Sequence, residues 1–318
     1  MAKAEIHALK EWLATQVIGQ EHLVERLLIA LLADGHLLVE GAPGLAKTRA
    51  IKSLGDGLEG SFHRIQFTPD LLPGDVTGTE IFRPQEGGFH FQQGPVFNNL
   101  VLADEINRAP AKVQSALLEA MAERQVSVGA ESWPLPRLFL VMATQNPIEQ
   151  EGTYPLPEAQ LDRFLLHVRV DYPDAAAETE ILRLTRAEAG QGGTVAPPVV
   201  SQEQVFEARQ ALLDLHMAEA VEQYIVQLVI ATRQPAGYSQ ELAGWIAYGA
   251  SPRATIALDR CARAHAWLRG ADFVGPDDVQ AVLADVLRHR LLLTFEAEAN
   301  GVTPDRVTEE LLALVPAA

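Results

Sequence analysis

The sequence predicts an α/β domain with a five-stranded, mostly parallel sheet between helices, followed by an all-α domain. From residue 37 to about residue 170, short apolar runs alternate with amphipathic segments, and beyond residue 201 only helical patterns occur. Strands that alternate with helices in this way form a parallel sheet covered on both faces. A stretch rich in Gly and Pro separates the two regions, which is typical of a domain boundary. We therefore divide the chain into a core at 1–189, a linker at 190–200 and a helical domain at 201–318.

Five mostly apolar runs supply the predicted strands of the core. Their length and their content of Leu, Val, Ile and Phe are typical of strands buried on both faces. The runs are Leu37–Val39, Phe62–Phe67, Leu100–Ala103, Leu138–Ala143 and Phe164–Val170.

Two insertions interrupt this alternation. Residues 74–96 contain several glycines between short alternating pieces such as 79–82 and 88–91, and residues 125–133 have a similar texture. Each pattern predicts an exposed β-hairpin that protrudes from the core.

The predicted second domain begins after the Gly-rich stretch 190–193 and the pair Pro197–Pro198. A helix over Ala175–Ala187 precedes this stretch, and no strand pattern follows it. The helices predicted beyond it are Gln202–Leu215, Ala218–Ala231, Arg253–Arg269 and Asp277–Arg290.

Composition limits the classes of function. The 318 residues are 48% hydrophobic, and no uninterrupted apolar run approaches the ~18 residues of a membrane-spanning helix. The N-terminal segment does not resemble a secretory signal, and Cys261 is the single cysteine, so we expect a cytoplasmic protein without disulfides. We expect Cys261 to be buried. The formal charge of −17 disfavours a nucleic-acid partner, although a ring can concentrate positive charge in a pore.

A phosphate-binding loop is predicted directly after the first strand. Glycines let successive backbone N–H groups converge on a triphosphate, Lys47 can reach the β and γ phosphates, and Thr48 can place a hydroxyl on Mg²⁺. Ala46 stands where the usual pattern has glycine, and we expect it to be tolerated because the chain is already entering a right-handed helix. The loop consists of Gly41, Ala42, Pro43, Gly44, Leu45, Ala46, Lys47 and Thr48.

Polar residues end two later strands at the edge where parallel sheets bind ligands. Asp104 can hold Mg²⁺, Glu105 can orient and deprotonate an attacking water, and Asn146 could hydrogen-bond that water or the γ-phosphate. The alternatives are an acidic turn or helix cap for the two carboxylates and an asparagine turn before Pro147. Because no guanine-reading N-K-x-D motif follows the loop, ATP is favoured over GTP.

Two arginines complete the candidate set. Arg163 immediately precedes the last strand and is poorly placed to reach its own phosphate, so we interpret it as an arginine finger for a neighbouring subunit. Arg253, at the start of a predicted helix, could report the γ-phosphate to the second domain. A surface salt bridge and an ordinary exposed helix residue are the respective alternatives.

Taken in order, these motifs resemble those of the AAA+ ATPases and, among them, the MoxR family. The resemblance covers nearly the whole chain. The phrases that carry it are the loop Gly41–Thr48, Asp104–Pro110, Ala143–Pro147 and Leu156–Phe164.

The resemblance implies a homo-oligomeric ring, a hexamer in this family, with Mg²⁺ and ATP between subunits. It implies that Lys47 is the Walker A lysine, Asp104 and Glu105 the Walker B pair, and Asn146 sensor 1. It further implies that Arg163 is the arginine finger. Sensor 2 would be Arg253, acting on its own or on a neighbour's nucleotide.

The residues Val17, Ile18 and Gly19 are similar to the segment that lines the adenine pocket in AAA+ proteins. The helical domain corresponds to the AAA+ lid, and the two hairpins to insertions shared with related clades.

Family function is chaperone-like remodelling of a client protein, including maturation or cofactor insertion, often with a partner that bears a von Willebrand factor A domain. Two alternatives remain open. A DNA-translocating AAA+ motor would need basic insertions, whereas residues 74–96 carry a net charge of −2, from Arg83 against Asp75, Glu80 and Glu86. A slow nucleotide-dependent assembly switch would hardly turn over ATP.

Overall fold

The computed structural model shows two compact units. Unit 1 comprises Met1–Arg163 and Val168–Phe206, and unit 2 comprises Phe164–His167 and Glu207–Ala318. The Gly-rich part of the predicted linker, residues 190–193, lies outside the described residues. The structure describes residues 2–85, 87–129, 131–148, 152–189 and 196–317.

Unit 1 is built on a five-stranded sheet, as predicted. Its strands are β1 (Leu37–Gly41), β2 (Phe62–Gln66), β5 (Leu100–Asp104), β8 (Leu140–Gln145) and β9 (Leu166–Val170). They lie side by side in the order β2-β5-β8-β1-β9. The pairs β2/β5, β5/β8 and β8/β1 are parallel, so their carboxyl ends meet at one edge.

The centre of this sheet is apolar and the outer strand β2 is not. All five residues of β5 are buried, whereas β2 buries Ile65 and exposes Arg64 and Gln66. Because side chains alternate along a strand, Arg64 and Gln66 project from the same face. The register places Gln66 opposite Asp104 at the end of β5.

Both predicted hairpins are present. The first pairs β3 (Gly78–Arg83) with β4 (Gly88–Gln93), and the second pairs β6 (Gln125–Val128) with β7 (Glu131–Pro134), both antiparallel. Most of their residues are exposed, as expected. The ring of Phe91 stacks on that of Trp133 with 4.9 Å between centroids, which joins the two hairpins.

Helices surround the sheet in unit 1. In the first of them the apolar residues Ile6, Leu9 and Leu13 recur at helical spacing and are fully buried, so this helix presents one apolar face to the core. The helices are α1 (Ala2–Gln16), α2 (Glu21–Leu32), α3 (Lys47–Asp56), α4 (Pro73–Thr77), α5 (Ala111–Glu123), α6 (Glu158–Leu161) and α7 (Ala175–Ala189).

The region beyond residue 200 is mainly helical, and the four helices predicted there are confirmed. Ser251 caps the helix that begins at Pro252 by accepting a hydrogen bond from the Arg253 amide. Cys261 is buried, as expected. No helix among the described residues is both long and apolar enough to cross a membrane. The helices are α8 (Gln202–Leu213), α9 (Glu219–Arg233), α10 (Gln240–Trp245), α11 (Pro252–Leu268), α12 (Pro276–Leu287), α13 (Phe295–Ala299) and α14 (Pro304–Leu314).

The prediction that this region contains no strand was wrong in detail. A parallel pair joins β10 (His216–Met217) to β12 (Phe273–Val274), and an antiparallel pair joins β11 (Ile246–Tyr248) to β13 (Leu292–Leu293). Segments of two or three residues are too short to display the alternation that identifies a strand in a sequence.

A buried carboxylate fastens the start of α12. Asp278 is fully buried. Its Oδ1 accepts a hydrogen bond from Arg269 Nε at 2.7 Å and contacts His265 Nδ1 at 2.7 Å. Its Oδ2 accepts a hydrogen bond from the Gly275 amide at 2.9 Å. Burial alone would raise the pKa of Asp278, but these hydrogen bonds outweigh it and hold the pKa well below its usual range.

We expect Asp278→Ala to lower the free energy of unfolding of unit 2 by about 2 kcal/mol, because it removes a helix cap and several hydrogen bonds at once. Since folding depresses this pKa, the contribution is complete above the unfolded-state pKa of about 3.9 and is lost as the pH falls below it. Denaturation monitored by circular dichroism at pH 7 and at pH 3 measures both effects. Asp277→Ala removes an exposed acid from the same turn and is the control; equal effects of the two variants would contradict the assignment.

Candidate nucleotide-binding site

A cavity of about 430 Å³ lies at the carboxyl edge of the sheet in unit 1. Its volume is in the range of small-molecule sites. Three segments that follow neighbouring strands meet there: the loop after β1, the end of β5 and the end of β8. The lining residues are Pro43, Gly44, Leu45, Ala46, Lys47, Thr48, Arg49, Arg64, Asp104, Glu105, Thr144 and Asn146.

Two glycines of the loop lie where a side chain would be unfavourable. Gly44 has φ +85°, a left-handed conformation that glycine adopts without steric cost. A Cβ atom on Gly41 would lie 2.7 Å from the carbonyl oxygen of Val170, so the close approach of β1 to β9 excludes a side chain. Gly41 and Ala42 themselves line a second, smaller cavity of about 210 Å³.

Ala46 corrects one expectation from the sequence. It has φ +56° and ψ 14° and precedes α3, which begins at Lys47. It is therefore left-handed, not already in a right-handed helix, and alanine pays about 1 kcal/mol for this conformation where glycine would not. The loop therefore holds Ala46 in a strained backbone conformation, which is common at functional sites.

Lys47 is held at the floor of the loop. Its Nζ donates to the carbonyl oxygens of Gly41 at 2.5 Å and Ala42 at 3.2 Å. Burial lowers the pKa of Lys47, and the nearby carboxylates of Asp104 and Glu105 act in the opposite direction. An anion bound in the cavity would favour the charged ammonium further.

Thr144 links the carboxylate of Asp104 to the backbone of Glu105. Its hydroxyl donates to Asp104 Oδ1 at 2.5 Å and accepts from the Glu105 amide at 2.9 Å. Glu105 has φ +56°, so the chain turns sharply after β5 and directs successive carboxylates into one cavity. The sequence did not assign a role to Thr144, although its place at the end of a predicted strand was visible.

Side chains from β2 also engage both carboxylates. Arg64 donates to Asp104 Oδ2 from Nη2 at 2.6 Å and from Nε at 3.1 Å. Its Nη2 also donates to Gln66 Oε1 at 2.9 Å, and Gln66 Nε2 donates to Glu105 Oε2 at 2.8 Å. Arg64 and Gln66 were not predicted as site residues.

Asn146 lies where the sequence placed it, at the cavity next to the end of β8. It is buried, and its Oδ1 accepts a hydrogen bond from the amide of Ile148 at 3.1 Å. This bond fixes the orientation of the carboxamide, whose Nδ2 can donate to an oxygen in the cavity.

The two candidate arginines belong to different units, Arg163 to unit 1 and Arg253 to unit 2. Arg163 does not line the cavity; its Nη1 donates to the carbonyl oxygen of Leu118 in α5 at 2.6 Å. Arg253 is an exposed residue of the first turn of α11, in unit 2. Among the described residues of unit 1, Arg163 therefore stays outside the set that Lys47 and Asp104 define.

Val17, Ile18 and Gly19 form the turn between α1 and α2, and they line neither of the two cavities described above. Gln16 is the residue that precedes this turn. Its carbonyl oxygen accepts a hydrogen bond at 2.6 Å from Nε of Arg49, the residue that follows Thr48. This contact places the turn beside the phosphate-binding loop.

The arrangement of a P-loop with two carboxylates and an amide on successive strand ends defines the class of P-loop ATPases. The family described as "ATPase family associated with various cellular activities (AAA)" matches residues 36–166, and the AAA lid domain matches residues 243–311.

Proteins of similar sequence and structure identify the family within this class. Chaperone MoxR1 of Mycobacterium tuberculosis is 46% identical over 98% of this chain and 83% of its own length. Protein MoxR of Methylorubrum extorquens is 33% identical over 93% of this chain and 90% of its own. A crystal structure from Cytophaga hutchinsonii, solved as that of a candidate ATPase, superposes with a TM-score of 0.92 and 46% identity, covering 100% of this chain and 96% of the other. The chain belongs to the MoxR family of AAA+ ATPases.

Proposed function

We propose that this chain binds Mg²⁺ and ATP in the cavity of unit 1 and hydrolyses the nucleotide. The observation that carries the proposal is the convergence of Lys47, Thr48, Asp104, Glu105 and Asn146 on one cavity. Each supplies a group that phosphoryl transfer to water needs, and few other chemistries need all of them together.

We assign these residues separate roles in binding the phosphates, binding Mg²⁺ and activating water. The amides of the loop Gly41–Thr48 hold the phosphates, and Lys47 binds the β and γ phosphates. Thr48 and Asp104 offer hard oxygen donors of the kind that Mg²⁺ takes beside phosphate oxygens, and the ion supplies charge neutralisation at the phosphates. Glu105 orients water and accepts its proton as the water oxygen attacks the γ-phosphorus and ADP leaves. Asn146 donates to the water or the γ-phosphate.

We further propose that the working form is a homo-oligomeric ring, a hexamer, with ATP between subunits. Arg163 would complete the neighbour's site, because an extra positive charge at the γ-phosphate stabilises the transition state. This assignment is supported by the contact of Arg163 with Leu118, which keeps the guanidinium out of the cavity lining of its own chain. Arg253 would sense the γ-phosphate in the same or a neighbouring subunit, and the turn Val17–Gly19 would hold the adenine.

The work done with this energy is remodelling of a client protein. A relative that covers nearly the whole chain is named a chaperone, and the hairpins β3/β4 and β6/β7 are exposed elements through which motion could pass to a client. We propose that the client is reached through a partner that bears a von Willebrand factor A domain. We propose a cytoplasmic location for this work. The charge of −17 disfavours the DNA motor, and the complete catalytic set disfavours the slow switch.

Capture of partners tests the remodelling function. Glu105→Gln should hold ATP without turning it over, so in Mg²⁺ and ATP it should retain a metalloenzyme or a von Willebrand-type protein and release it in ADP. Lys47→Ala, which should not bind ATP, is the control and should retain neither. Recovery of DNA instead, with ATPase stimulation by DNA that high salt abolishes, would favour the motor.

A further inference from the structure

The carboxylate proposed to hold Mg²⁺ already has a countercharge from the protein. Arg64 contacts Asp104 Oδ2 through two nitrogens, Nη2 at 2.6 Å and Nε at 3.1 Å. The other oxygen of Asp104 accepts the Thr144 hydroxyl. A metal ion that binds Asp104 therefore competes with the Arg64 guanidinium for the same buried carboxylate.

Arg64 is free to move when it loses this competition. Its side chain is 51% exposed, whereas that of Asp104 is 12% exposed. It extends from β2, the outer strand of the sheet, and lines the same cavity as the phosphate-binding loop. A long side chain anchored at such a place can turn within the cavity without disturbing the core.

The charges of the cavity decide where the released guanidinium goes. Its lining carries the cations Lys47, Arg49 and Arg64 and the anions Asp104 and Glu105. Glu105 already pairs with Arg108, whose Nη1 lies 3.2 Å from Glu105 Oε2. With Asp104 bound to a metal ion, the largest uncompensated negative charge in the cavity is therefore that of the bound phosphates. A guanidinium pairs with phosphate oxygens through two parallel hydrogen bonds.

We propose that Arg64 is a further triphosphate-binding residue, which exchanges its pairing with Asp104 for the terminal phosphate of ATP. The inference rests on the proposed Mg²⁺ and ATP site. It gives Arg64 two opposite effects: it opposes the entry of the metal ion at Asp104, and it favours ATP over ADP because ADP has no γ-phosphate to receive it.

The proposed exchange of Arg64 between Asp104 and the terminal phosphate is tested by measuring the affinity for nucleotides that are not hydrolysed. Calorimetric titrations with ADP and with AMPPNP, each at several Mg²⁺ concentrations, compare the wild type with Arg64→Gln. We expect AMPPNP to bind about tenfold more weakly to the variant, in line with the loss of a charge-assisted hydrogen bond. We expect ADP affinity at saturating Mg²⁺ to change less than about twofold, and the Mg²⁺ concentration for half-maximal ADP binding to fall about threefold, as for a partly exposed ion pair.

Matched variants separate this exchange from a general loss of charge or structure. Lys52→Gln removes an exposed cation of α3 outside the cavity lining and should change none of the three quantities. Arg64→Lys keeps the charge without the planar fork and should fall between wild type and Arg64→Gln. In an Asp104→Asn background, Arg64→Gln should still weaken AMPPNP but no longer change the Mg²⁺ midpoint.

The outcomes are distinguishable. Equal weakening of ADP and AMPPNP, or an unchanged Mg²⁺ midpoint in a variant whose thermal unfolding matches the wild type, would overturn the exchange while leaving the nucleotide site intact. If the wild type binds neither nucleotide, the proposed function fails and this inference fails with it.

Discussion

Glu105→Gln should reduce the rate of ATP hydrolysis at least about a hundredfold while leaving ATP binding intact. The carboxamide has nearly the shape of the carboxylate but cannot accept a proton from the attacking water. The left-handed backbone at Glu105 and the hydrogen bond from its amide to Thr144 do not depend on the carboxylate, so the variant should keep the geometry of the site. Phosphate release under single-turnover conditions and ATP affinity by calorimetry measure the two quantities separately.

Glu119→Gln is the matched control for this prediction. Glu119 is an exposed acid of α5 and does not line the cavity, so its neutralisation should leave both quantities unchanged. Hydrolysis by Glu105→Gln at near the wild-type rate would mean that another group accepts the proton. Loss of ATP binding would instead mean that Glu105 is needed to hold the site together.

Arg163→Ala should lower the rate of hydrolysis about a thousandfold, which is the lower range for removal of an arginine finger. Arg163 does not line the nucleotide cavity of its own chain, because its guanidinium bonds to the carbonyl oxygen of Leu118. Nucleotide affinity should therefore fall much less than the rate. Arg183→Ala, a substitution of an exposed arginine in α7, should affect neither.

The strands and the phosphate-binding loop could be predicted because their signals are local. Buried parallel strands are runs of apolar residues, and the P-loop places its glycines and lysine at fixed spacing. Asp104, Glu105 and Asn146 could be found because parallel strands bring their carboxyl ends to one edge whatever their order. The two hairpins were visible for the same local reasons.

Other features depend on information that a single sequence does not contain. Alternation along β2 puts Arg64 and Gln66 on one face, but only the strand order reveals that this face adjoins Asp104 and Glu105. Ala46 is left-handed because of the turn into α3, which overrides the residue's own preference. The strands of the pairs β10/β12 and β11/β13 have only two or three residues each, too few to show an alternating pattern in the sequence.

We expect each catalytic site to be built by two subunits, one supplying the P-loop and the other Arg163. Equimolar mixing of Arg163→Ala with Lys47→Ala tests it, because each variant is inactive alone and each supplies what the other lacks. In a randomly mixed head-to-tail ring, about one interface in four joins an intact P-loop to an intact arginine. We expect ATP hydrolysis to recover to a corresponding fraction of the wild-type rate. No recovery, in rings shown by native mass spectrometry to contain both variants, would contradict the shared site.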